Sequence, residues 1–264
     1  MRLLLFILSS VLLSFNGWTQ QENQTDEKGR KQGVWKKFYE DGSLYAIGNF
    51  KNNVPVDTFK YFYKDSKLKA IVIHKENKTT YSTVFYPDGI TKKAEGKYVE
   101  QKKDSTWTYY SEKGKKLAVE HYILGKPYGK WEVYFDNGLV AEEKNYEKGI
   151  ENGVWKQYYI DGTLSMESNY KDGFLNGHSV YYDDDKKIIA EGDYVNDLRE
   201  GEWIYYNKDG SIKFKVSYLK GIITSKDIRE EKIDTTNYEK KDVLDFEDLF
   251  KINPKKEIYS PRYE

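Results

Sequence analysis

Apolar and polar positions along this chain follow a pattern that restarts every 23 to 25 residues. Aligned on Trp35, Phe59, Ser82, Trp107, Trp131, Trp155, His178 and Trp203, the intervals are 24, 23, 25, 24, 24, 23 and 25 residues, the mark of a repeat array. Three residues after each anchor stands an aromatic: Phe38, Phe62, Phe85, Tyr110, Tyr134, Tyr158, Tyr181 or Tyr206. Seven residues after it comes Gly42, Gly89, Gly114, Gly138, Gly162 or Gly210, with Ser66 and Asp185 as exceptions. A later ring closes most units, at Phe50, Tyr98, Tyr122, Tyr146, Tyr170, Tyr194 and Tyr218, with His74 replacing it once.

Each unit reads as a β-hairpin. Pairs such as Asp41-Gly42, Asp161-Gly162 and Asp209-Gly210 suit a type I′ turn, whose twist matches the flanking strands. Units then join through a second glycine-bearing turn, as in Gly149-Ile-Glu-Asn-Gly153. In a strand, the anchor and the residues two and four beyond it share one face, and the residue three beyond points the other way. The predicted fold is all-β, an elongated antiparallel meander of successive hairpins stabilised unit against unit. Stacked rings, each burying roughly 150–250 Å², replace a central aliphatic core. The array spans 32–222. It follows a polar, flexible segment over 20–31 and precedes a charged tail over 223–264, whose Val243, Leu244, Phe246, Leu249 and Phe250 suggest a short capping helix within Tyr238–Lys251.

Composition narrows the class. The 264 residues carry 43 Lys+Arg and 43 Asp+Glu, and a neutral chain lacks the basic surplus of a nucleic-acid binder. There is no cysteine, which removes disulfides, thiolate zinc sites and cysteine nucleophiles. Arg2 followed by the apolar run Leu3 to Leu13 reads as a signal peptide over 1–19, cleaved near Thr19. No later segment of the sequence is apolar for the roughly 20 residues that a spanning helix needs. The expected product is an exported protein, periplasmic, associated with the outer membrane, or secreted, with no transmembrane span in the mature chain.

The spacing Tyr146-Gly149-Gly153-Trp155-Tyr158-Tyr159-Gly162-Leu164 resembles the variant MORN repeat of bacterial proteins, many of which carry an antitoxin-like label. The resemblance covers roughly residues 28 to 222 and implies a twisted sheet of hairpins used for protein or membrane-surface interaction. It transfers no catalytic residue. Trp203-Ile-Tyr205-Tyr206 and the following turn are also similar to the units of choline-binding cell-wall repeats, which have a shorter period.

Candidate chemistry is sparse. His74, His121 and His178 fall in different units and suggest packed or half-exposed histidines rather than metal ligands. Asp183-Asp184-Asp185 could offer carboxylates to calcium, but it occupies a turn position and lacks the graded spacing of a calcium loop. Sequence motifs of hydrolase, phosphate-loop or zinc-protease type are missing. The sequence therefore points to no enzyme, catalytic residue, metal or cofactor. The partner-binding candidates are Tyr110, Tyr134, Tyr158, Tyr181 and Tyr206, a stripe facing away from the anchors Trp35, Trp107, Trp131, Trp155 and Trp203. The expected partner is a protein at the bacterial cell envelope, with a glycan or cell-wall polymer, or a toxin met by an antitoxin-like chain, as alternatives.

Overall fold

The computed structural model describes residues 22–228. The leader expected over 1–19 and the helix expected within Tyr238–Lys251 lie outside them. The chain divides into Met1–Asp227 and Ile228–Glu264, and the architecture below is that of the first unit. Every regular element among the described residues is a strand. Unit one is the hairpin Lys31–Phe38 with Leu44–Lys51, and unit two is Val54–Phe62 with Leu68–Lys75. The series continues to unit eight, Leu198–Tyr206 with Ile212–Leu219. Each second strand pairs antiparallel with the first strand of the next unit, as in Ala46 with Tyr61 and Ala190 with Tyr205. The result is one continuous meander.

The turn chemistry differs from the expectation. At the hairpin tips only the residue in the glycine position has positive φ, such as Gly42 at 84° or Gly162 at 87°. The Gly42 amide donates to Tyr39 O at 3.0 Å, and Tyr39 N donates to Ser43 O at 2.9 Å. This is a β-turn followed by a left-handed residue, the three-residue hairpin loop with a bulge. The preceding Asp is selected for its carboxylate, which accepts the amide two residues on: Thr163 N donates to Asp161 Oδ1 at 2.8 Å and Ser211 N to Asp209 Oδ1 at 2.9 Å. The type I′ signature, two consecutive positive φ values, sits at the joints between units. Asn52-Asn53, Glu100-Gln101, Lys148-Gly149, Asp172-Gly173 and Lys220-Gly221 all show it.

Register also corrects the seventh anchor. Trp155 faces Ser168 two residues after Gly153, and in unit seven it is Ser179 that faces Gly192 two residues after Gly177. The anchor is therefore Ser179 and not His178. Lys186, at φ 64°, takes the place assigned to Asp185. Tyr182 replaces Tyr181 in the outward stripe. A histidine beside a serine offered no indole or phenyl ring to align on, so the neighbouring Tyr181-Tyr182 pair could be read one residue out of step.

The anchor face is the buried one. Trp107 is 3% exposed, Trp155 1% and Trp203 0%, an unusual depth for a single-layer sheet, and the rings themselves produce it. A small-residue column, Ala46, Ala94, Ala118 and Ala190, is buried between them. From unit two onward the anchor rings lean over the preceding unit's second strand. A Cβ on Gly48, Gly96 or Gly192 would meet the ring of Phe59, Trp107 or Trp203 at under 3.0 Å. The anchor nitrogens then find the preceding strand's backbone: Trp107 Nε1 donates to Lys97 O at 2.9 Å, Trp131 Nε1 to His121 O at 2.9 Å, and Trp203 Nε1 to Asp193 O at 3.1 Å. Trp155 instead donates to the buried Glu142 at 2.6 Å. Burial of each such ring stabilises by on the order of 2–3 kcal/mol.

The tips are tied to one another as well. Tyr39 OH donates to Phe62 O, Tyr63 OH to Phe85 O, Tyr86 OH to Tyr110 O, each at 2.8 Å, and Tyr159 OH to Tyr182 O at 2.7 Å. Units lacking that tyrosine use another donor. Lys115 Nζ reaches Asp136 O at 2.5 Å, Asn137 Nδ2 reaches Ile160 O at 2.6 Å, and Lys187 Nζ reaches Lys208 O at 2.6 Å. At the start of the array, Gln24–Thr25 pairs with Lys31 and Gln32. Asn23 imitates a further strand residue there, accepting from Lys36 N at 2.7 Å and donating to Lys36 O at 3.2 Å. These contacts cover part of the first open edge. They also organise the end of the 20–31 segment, where Asp26 accepts from Arg30 Nε at 2.8 Å.

Candidate interaction surface

Opposite the anchors runs the outward column Phe38, Phe62, Phe85, Tyr110, Tyr134, Tyr158, Tyr182 and Tyr206. Its rings recur on every second strand, and strands lie about 4.8 Å apart, so neighbouring units present them roughly 10 Å apart. The five tyrosines are half-buried. Four of them, Tyr110, Tyr134, Tyr158 and Tyr206, have hydroxyls tied to glutamates. Tyr110 donates to Glu95 at 2.6 Å, Tyr158 to Glu143 at 3.2 Å and Tyr206 to Glu191 at 2.5 Å, each across the strand pair to a glutamate fifteen residues earlier. In unit five the equivalent residue is Val119, and Tyr134 turns to Glu132 in its own strand at 2.8 Å.

These contacts set the electrostatics. Burial, followed by the adjacent glutamate, pushes the phenols of Tyr110, Tyr134 and Tyr158 up to about 12. For Tyr206 the Glu191 hydrogen bond leads and the value is again about 12. Lysines balance the carboxylates. Lys130 bridges Glu132 at 2.5 Å and Glu143 at 3.0 Å, and Lys156 meets Glu167 at 3.1 Å. At Tyr110, Tyr134, Tyr158 and Tyr206 the stripe thus presents rings whose hydroxyls are tied to glutamates, flanked by charges of both signs.

The other candidates fall as follows. Tyr181 lies on the anchor face, 6% exposed, its hydroxyl 3.3 Å from that of Tyr194. Trp35 and Trp131 are half-buried, whereas Trp107, Trp155 and Trp203 are buried. The tip glycines Gly42, Gly89, Gly114, Gly138, Gly162 and Gly210 all hold positive φ. His121 Nδ1 lies 3.1 Å from Thr106 Oγ1, and His178 lies between Glu191 at 3.3 Å and Asp193 at 3.1 Å. Asp183, Asp184 and Asp185 bring carboxylate oxygens within 4.8 Å of one another, in a turn where Asp183 Oδ1 accepts Lys187 N at 2.8 Å.

Sequence reasoning passed over two features of consequence. One is the glutamate ladder, whose fifteen-residue offset from the tyrosines is visible in the chain once the column is known. The other is a cation four residues before certain anchors. Lys31, Lys103 and Arg199 sit 4.6, 5.1 and 4.5 Å over Trp35, Trp107 and Trp203. Arg199 also donates to Tyr205 at 3.2 Å and Tyr218 at 3.1 Å, and Lys103 repeats the arrangement with Tyr109 and Tyr122. The aromatic boxes of units four and eight are therefore filled by the chain's own cations.

Among the described residues no helix is long and apolar enough to cross a membrane. No curated protein matches the chain. Solved structures with local similarity include a point mutant of S. aureus TarM in complex with fondaparinux, alpha-GlcNAc-glycerol and UDP, at 12% identity over 52% of this chain and 19% of that one, TM-score 0.19. Two others are the TcdB2-TccC3-Cdc42 complex, at 9% identity over 76% and 13%, TM-score 0.22, and TcdB2-TccC3, at 7% over 72% and 14%, TM-score 0.21. The chain spans less than a fifth of the length of each. Residues 31–52, 151–172 and 199–220 match the family described as MORN repeat variant, so three units of this all-β array are MORN-variant repeats.

Proposed function

We propose that the chain is an exported, non-enzymatic scaffold that holds a protein partner at the bacterial cell envelope through its outward tyrosines. The single observation that supports this reading is the restraint on Tyr110, Tyr134, Tyr158 and Tyr206, whose rings stay half-exposed while their hydroxyls are tied to glutamates. Tyrosine offers large contact area at small rotamer entropy, and rings already fixed lose little more on binding. Export rests on the apolar run Leu3 to Leu13 behind Arg2.

Cross-linking of the protein in its own envelope, followed by identification of what is captured, tests the proposal. Tyr134→Ala with Tyr158→Ala is expected to abolish capture of a defined protein while leaving the circular dichroism unchanged. Undiminished capture by that variant overturns the reading.

A second reading, glycan binding, draws on a shallow cleft of about 410 Å³ on the same face, lined by Tyr81, Thr83, Thr106, Thr108, Glu95 and Lys97. An exposed ring beside hydroxyls suits a sugar's mixed faces. Retention on peptidoglycan or polysaccharide that is lost in Tyr81→Ala favours this reading over the protein scaffold.

A further inference from the structure

The neutral total conceals an uneven distribution of charge. Residues 31–123, units one to four, carry 18 Lys against 11 Asp and Glu, whereas 126–219, units five to eight, carry 12 Lys and Arg against 18 Asp and Glu. The outward face shares this division. Strand alternation places Lys36, Lys60, Lys97 and Lys116 on it in the first half, facing Ile47, Ile71, Tyr81 and Tyr110 in the paired strands. In the second half Glu143, Glu167, Glu191 and Asp193 take that face.

Pairing within each half is incomplete. Lys60 is exposed and makes no ion pair among the described residues. Glu191 and Asp193 meet no lysine or arginine there, both lying against His178 at 3.3 and 3.1 Å. Apolar side chains stand beside these charges: Ile71 and Ile73 in unit two and Val180 in unit seven, all half-buried and outward. Eight units about 10 Å apart, on strands about 27 Å long, present a face of roughly 2,000 Å². A standard interface takes about 800 Å² from each partner. The partner that fits is acidic where this face is basic and basic where it is acidic, over the same length. A second copy turned end for end has that distribution.

We propose that two copies pack outward face to outward face about a two-fold axis parallel to the strands, units one to four of each lying against units eight to five of the other. This deepens the outward-face reading above and rests on that surface being the binding one: the protein held there is a second copy. The axis sets Lys60 and Ile71 of unit two over Val180, Glu191 and Asp193 of unit seven in the second copy, and symmetry repeats the contact. Near the centre Tyr110 meets Tyr134 of the second copy. A two-fold axis along the array would instead set basic units on basic ones, a costly juxtaposition.

Sedimentation equilibrium of the purified protein tests this arrangement. Dimers with a Kd of about 10 μM or tighter are expected at about 20 mM salt, weakening roughly tenfold or more at about 500 mM, where screening is short-ranged. Lys60→Glu alone and Asp193→Lys alone should each leave monomers, since both symmetry-related contacts become repulsive. Mixed in equal amounts, the two variants should dimerise again, because each contact then joins opposite charges. Unchanged circular dichroism checks that both variants are folded. A dimer indifferent to both charge reversals overturns the proposal. Monomers of the unaltered protein at about 100 μM in low salt overturn it as well, without touching the cross-linking test of the outward tyrosines, in which an unlike protein is captured.

Discussion

A Cβ on Gly96 would fall within 3.0 Å of the Trp107 ring, so the largest side chain of unit four occupies the volume that unit three leaves empty. The same exchange joins Gly48 to Phe59 and Gly192 to Trp203. Where the anchor is small, the facing residue carries a side chain instead, Val72 for Ser82 and Ser168 for Ser179. Gly96→Ala therefore forces the ring off its seat. Loss of about 1–3 kcal/mol is expected, as for overpacking elsewhere, with a fall in the urea midpoint. Gly96 has no positive φ, so the loss would report the ring contact and not backbone strain.

The tip-to-tip hydrogen bonds predict a smaller effect. Tyr159→Phe removes the donor to Tyr182 O and keeps the ring. A loss of about 0.5–1.5 kcal/mol is expected by chemical denaturation. Opening should be concentrated between units six and seven, read as faster amide exchange at that joint.

Lys186 holds a left-handed backbone at φ 64° where six of the other tips place glycine and one places Ser66. An L-residue with a Cβ is strained there by about 1–2 kcal/mol. Lys186→Gly is expected to raise the thermal midpoint. The same change at an ordinary strand position should lower it.

The guanidinium of Arg199 touches the Trp203 ring and two tyrosine hydroxyls. Arg199→Met is expected to destabilise by about 1–2 kcal/mol through the lost cation–ring contact and the unpaired hydroxyls. Because unit four builds the same box around Lys103, Arg199→Lys should retain most of the stability. Equal losses for the two substitutions would refute the cation's role.

Alkaline pH acts on the outward stripe. The folded phenols of Tyr110, Tyr134, Tyr158 and Tyr206 lie near 12, above the ordinary value of 10.0. Between those values the unfolded chain loses protons that the folded chain keeps, so stability is full below pH 10 and falls as pH rises toward 12. Absorbance at the phenolate band should show these groups ionising late. Glu95→Gln should advance Tyr110 alone.

The period, the hairpins and the ring columns were legible because each depends on residue type at a fixed spacing. The turn types were not: Asp-Gly suits two hairpin loops, and only the φ of the Asp distinguishes them. Nor was the Gly96–Trp107 contact, since a glycine in a strand gives no sign of what lies above it. The outward stripe was read correctly at Tyr110, Tyr134, Tyr158 and Tyr206 as to face. It slipped at Tyr181, where two adjacent tyrosines made either register plausible. Its glutamates were hidden among many charges that otherwise look like solvated strand faces.

The tip carbonyls accept from a phenol, an ammonium or a carboxamide with equal success. What recurs is a lone pair at a fixed location, and any donor of sufficient reach satisfies it. Side chains at those corners are free to drift in identity while the main chain keeps the beat, which makes whole hairpins exchangeable parts. Moving the segment 151–172 into the place of 31–52 should preserve the sheet even though the two differ at most positions.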